Sequence, residues 1–95
     1  MIYDKVIEIA LEQYKKSFNA VNYYMELAKL CDWRIEDYDN CILNEVDPII
    51  IAKLKTIRQN YANEKFNYIA KANENAITMN ALKEFIKNRH PEIVF

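Results

Sequence analysis

The chain has 95 residues, 52% apolar and 28% charged, with a formal net charge of −1 and no glycine. That is enough apolar material for one small core. The missing glycine excludes phosphate-cradling loops and dinucleotide fingerprints, which need positive backbone angles and close backbone approach, and disfavours two-residue hairpins. The expectation is an all-α fold of four to five helices in a single domain over residues 1–95, with a helix-turn-helix-like N-terminal half, then a long helix and a short C-terminal one.

The first predicted helix runs from Ile2 to about Lys16. Ile2, Val6, Ile9 and Ala10 sit at helical spacing, and Tyr3, Ile7, Leu11 and Tyr14 widen the arc. Ser17 or Asn19 then offers an N-cap, because a short polar side chain there accepts a bond from an otherwise unpaired amide. A second helix from Ala20 carries Tyr24, Leu27, Ala28 and Cys31 and ends near Leu30–Asp32. Asp32 caps a third, short helix with Ile35, Tyr38, Ile42 and Leu43 facing inward, followed by a turn through Asn44–Val46; the alternative is an irregular loop anchored by Trp33.

The strongest start signal is "VDP". Asp47 is an N-cap and Pro48 takes the first helical position, where a missing N–H costs nothing. From Ile49 to about Asn73 no breaker intervenes. Ile50, Leu54, Ile57, Tyr61, Tyr68 and Ala72 form one stripe, and Ile51, Ala62, Phe66 and Ile69 a second at its edge. A helix with two apolar faces needs more cover than three short helices supply, so part of it is expected to face another subunit. The predicted interface comprises Ile50, Leu54, Ile57, Tyr61, Phe66, Tyr68 and Ile69. Asparagine-rich "NEN" at 73–75 predicts a turn. A last helix, Ile77 to Asn88, buries Met79, Leu82, Phe85 and Ile86, has Lys87 and Arg89 near its end, where the helix dipole favours cations, and is stopped by Pro91. The apolar tail Ile93–Phe95 must fold back or dock on a neighbour.

Charge is divided unevenly. Residues 1–47 hold ten acids against five bases, a balance of −5, and residues 48–95 hold eight bases against four acids, a balance of +4. The split at residue 47 separates an acidic half from a basic half expected to form an oligomerising helical hairpin.

No residue constellation points to catalysis. His90 is the only histidine and lies one residue before a helix-stopping proline, without the nucleophile and carboxylate that a hydrolytic triad needs. One histidine and two cysteines ten residues apart, Cys31 and Cys41, do not make a zinc site, and no cofactor or small-molecule substrate is implied. Both cysteines read as small buried apolar groups in a reducing compartment. No apolar run is long enough to cross a bilayer, and "MIYDKVIE" carries acids where a signal peptide carries bases. The expectation is a cytoplasmic, non-enzymatic protein with no membrane contact.

The stretch "ALKEFIKNRHPE" at 81–92 resembles the C-terminal signature of phage small terminase subunits: Ala81, Phe85, Ile86, Lys87, Asn88, Arg89, Pro91 and Glu92 stand at its positions. Asp47–Pro48 is similar to the Asp-Pro that opens the family's long helix. "NAVNYYMELAKLCDW" at 19–33 looks like the first helix and turn of its DNA-reading unit, with Ile35 to Leu43 as the recognition helix. The resemblance implies a non-catalytic packaging subunit that forms homo-oligomeric rings, binds duplex DNA through Asn19, Asn22, Lys29 and Arg34, and presents it to a large motor subunit in the host cytoplasm. Glu36, Asp37 and Asp39 would be repelled by a phosphate backbone. They support the alternative, a small acidic inhibitor or adaptor that docks on a basic protein.

Overall fold

The computed structural model describes residues 4–95; Ile2 and Tyr3, assigned above to the first apolar stripe, lie outside them. Two long helices account for almost all of the described chain: α1, Lys5–Asn44 (40 residues), and α2, Pro48–Arg89 (42 residues), whose connection makes residues 24–70 a helical hairpin. The expectation of four to five helices is therefore corrected to two. Residues 19–43 form no helix-turn-helix, because they lie inside one uninterrupted helix, and residues 48–89 are a single helix and not a hairpin of their own.

The reason lies in the predicted breaks. Ser17, Asn19 and Asp32 are good caps, but no proline or glycine stands between Lys5 and Asn44 to stop the backbone, and a cap residue without a breaker can remain in a helix interior. Ser17 is buried there. At "NEN", the Asn75 side-chain amide donates to the Lys71 carbonyl at 2.8 Å and the Thr78 hydroxyl to the Glu74 carbonyl at 3.3 Å. These polar groups bond back onto the turn before them and the helix continues.

The true ends follow local chemistry. Asp4 caps α1: the Ile7 amide donates to its carboxylate at 2.8 Å and the Glu8 amide to its carbonyl at 3.1 Å. The connection Glu45–Asp47 contains no glycine, and among the described residues no backbone angle is left-handed. The Glu45 carboxylate takes over, accepting from the amides of Val46 at 3.0 Å and Asp47 at 3.1 Å. Asp47 then caps α2, accepting from Ile49 at 2.9 Å on its side chain and from Ile51 at 2.9 Å on its carbonyl. Pro91 stops the ladder beyond His90, whose amide is the last to reach back, to Ile86 at 2.8 Å.

The chain forms two compact units, Tyr24–Ala70 and, separately, Lys71–Phe95 with the described residues up to Tyr23. In each, the less exposed positions alternate in steps of three and four. Within Tyr24–Ala70 they are Tyr24, Ala28, Cys31, Ile35, Tyr38 and Ile42 on α1, against Ile51, Leu54, Arg58, Tyr61, Lys65 and Tyr68 on α2. A mean step of 3.5 residues keeps one narrow seam facing its partner, as in a coiled coil. In the other unit, Ile7, Ala10, Tyr14, Ser17 and Val21 follow the same rhythm on α1, and Ala72, Asn75, Met79, Leu82 and Ile86 on α2.

A candidate association surface

Tyrosines and charges hold the Tyr24–Ala70 seam. Tyr38 stacks on Tyr61 with centroids 5.8 Å apart, and Tyr24 on Tyr68 at 6.3 Å. Lys65 donates to the Asp32 carboxylate at 2.6 Å, and the Arg58 guanidinium grips both oxygens of Asp39. These contacts use part of the acidic and basic halves within one chain, so that share of the charge complementarity is not left for a neighbouring subunit. Exposed pairs of this kind contribute little stability, under about 1 kcal/mol each, but they fix the register of the two helices.

Cys31 is buried in this seam, and its thiol is pushed above the usual value, chiefly by burial, then by the Glu64 and Asp32 carboxylates, with Lys65 opposing. It is a protonated packing group, not an activated nucleophile. Cys41, expected to be buried as well, is exposed on α1. Its position leaves it outside the 3.5-residue seam.

The predicted site residues are redistributed. Of the seven interface positions, Leu54, Tyr61, Tyr68 and Ile69 are half-buried, and Tyr61 and Tyr68 carry the stacks against α1. Ile50, Ile57 and Phe66 remain exposed. Asn19, Asn22, Lys29 and Arg34 are exposed along α1 with no turn to gather them, and the Lys29 ammonium lies 6.0 Å from the Trp33 ring. Glu36 and Asp37 are exposed, whereas Asp39 is held by Arg58, so the acidic docking face narrows from three carboxylates to two. His90 contacts Glu92, Nδ1 to Oε1 at 2.9 Å, and the Glu92 carboxyl lies below its ordinary value through a backbone hydrogen bond and this contact. Among the described residues no group of three or more His, Cys, Asp or Glu is placed to hold a metal ion, and no helix is long and apolar enough to cross a membrane.

The exposed apolar surface is the feature that sequence patterning located least well. Val6, Ile9, Phe18 and Ile77 in one unit are exposed, as are Met25, Leu30, Trp33, Leu43, Ile49 and Phe66 in the other. Among the described residues only six apolar ones are buried, and of these only Ile7 and Ile86 are large. Compared with family models, curated proteins and solved structures, the chain matches none.

Proposed function

We propose that this protein is a non-catalytic helical subunit that works by associating with further copies of itself, in the cytoplasmic setting of a phage-type packaging subunit. One observation carries the association. The chain exposes 7114 Å², about 1,400 Å² more than the roughly 5,700 Å² expected of a monomeric chain of its mass. A standard interface removes about 800 Å² from each partner, so a second copy fits within that excess. The net charge of −1 sets little repulsion against self-assembly.

Light scattering on a size-exclusion column at tens of micromolar tests this. The expected mass is at least twice 11.3 kDa, and a strict monomer overturns the reading. Ile57→Lys with Phe66→Lys, both exposed, should weaken association at least ten-fold with helicity unchanged. The packaging role rests on the resemblance of residues 81–92, and its duplex contact on the exposed Lys29 and Arg34. Reversing both charges should weaken duplex binding, and unchanged binding removes DNA from the reading while leaving association intact.

A further inference from the structure

Beyond Pro91 the chain turns back. The Ile93 amide donates to the His90 carbonyl at 3.1 Å, and the Phe95 ring meets Tyr14 of α1 edge-on, with centroids 4.7 Å apart and planes at 68°. The Lys83 ammonium lies 5.7 Å from the Phe95 centroid, and Tyr14 stacks in turn on Phe18 at 6.4 Å. An open groove of about 410 Å³ runs beside this contact, lined by Leu11, Tyr14 and Phe18 on α1, with Lys15 and Asn19 at its polar side, and by the tail.

The tail covers its groove incompletely. Phe95 is 38% exposed, Phe18 47% and Val94 91%. On α1 the tail meets Tyr14 through the Phe95 ring, on α2 the Lys83 ammonium lies near that ring, and Ile93 is half-buried. The tail is held against the helices by side-chain contacts alone, without the continuous hydrogen-bond ladder that holds each helix, so it can leave its seat while α1 and α2 stay intact. The site nevertheless selects its occupant: the groove is mainly apolar with an aromatic wall, and Lys83 of α2 presents a cation to a ring seated on Tyr14. An aliphatic segment ending in an aromatic residue satisfies all three conditions.

We infer that the groove on α1 takes residues 93–95 of a second copy in place of the chain's own, so that the tail is exchanged between associated copies. The inference rests on the self-association proposed above. Exchange replaces each contact by an identical one, Phe95 on Tyr14 and Lys83 near a Phe95 ring, so the groove itself neither gains nor loses. The balance is then set by the apolar surface that closes when two copies come together, which is why an exchanged element is a low-cost route to a dimer. The hinge is short: the turn His90–Glu92, with Pro91 limiting the backbone at its centre.

The unsubstituted chain supplies the test. Carbon-13-labelled and unlabelled chains are unfolded together, refolded as an equal mixture and examined by isotope-filtered nuclear Overhauser spectroscopy. Exchange predicts cross-peaks between the labelled Tyr14 ring and an unlabelled Phe95 ring. Tyr14–Phe95 contacts confined to one chain overturn the inference. Scattering mass on the same sample separates the two readings: an oligomer whose contact stays within each chain overturns the exchange alone, whereas a monomer overturns self-association and the exchange with it.

Discussion

The two units solve the same packing problem with different side chains. Between Tyr24 and Ala70 the helices meet through stacked tyrosines, small residues and two ion pairs, with no large aliphatic side chain fully buried. In the unit of Lys71–Phe95 with the residues up to Tyr23, Ile7 and Ile86 are completely buried and Ala10 and Ala72 nearly so. Aliphatic burial is non-directional and strong, about 1.5–3 kcal/mol for a side chain of this size. Ring stacks and ion pairs are directional and weak. One unit therefore supplies stability per residue, and the other supplies register.

The largest effect is expected at Ile86. Replacement by alanine should cost about 2–5 kcal/mol through lost burial and a residual cavity, read as a drop in urea midpoint at fixed protein concentration. A loss below about 1 kcal/mol would show that the aliphatic unit is not the stronger one. Tyr38 and Tyr61 sharpen the other side. A double-mutant cycle with phenylalanine and alanine at both positions should return a coupling of about 0.5–1.5 kcal/mol, well short of the Ile86 effect.

The smallest effect concerns Cys31, whose thiol is held above its ordinary value of 9.0 by burial and neighbouring carboxylates. A raised value in the fold means the folded state keeps its proton where the unfolded state loses it. The contribution of Cys31 is thus complete below pH 9 and is lost as pH rises past that point. With a thiol-reactive chromophore at pH 8, Cys41 should react at once and Cys31 only on unfolding; equal rates would contradict the buried seam.

How much was legible in advance depended on range. Asp47–Pro48 and Pro91 were readable because a cap beside a proline, or a proline alone, decides a helix end within a few residues. The Asn44–Val46 turn followed from the same signal. The breaks expected at 17–19, 30–32 and 73–75 were not there, because polar residues without a breaker only permit an end, and Asn75 instead bonds to Lys71 inside α2. The interface assignment divided for a related reason. Ile50, Leu54, Ile57 and Tyr61 share a stripe in steps of four and three, but the seam takes the register Ile51, Leu54, Arg58 and Tyr61, which keeps Leu54 and Tyr61 toward α1 and leaves Ile50 and Ile57 exposed.

By itself, then, the sequence determined an all-helical chain, a turn before Asp47 and a stop at Pro91, since these depend on backbone chemistry between near neighbours. Only the tertiary structure decided that there are two helices, that Asp39 and Asp32 are bound by Arg58 and Lys65, and that Phe95 folds back onto Tyr14. Each of these outcomes is a competition between distant groups for the same partner, and spacing along the chain does not rank the competitors.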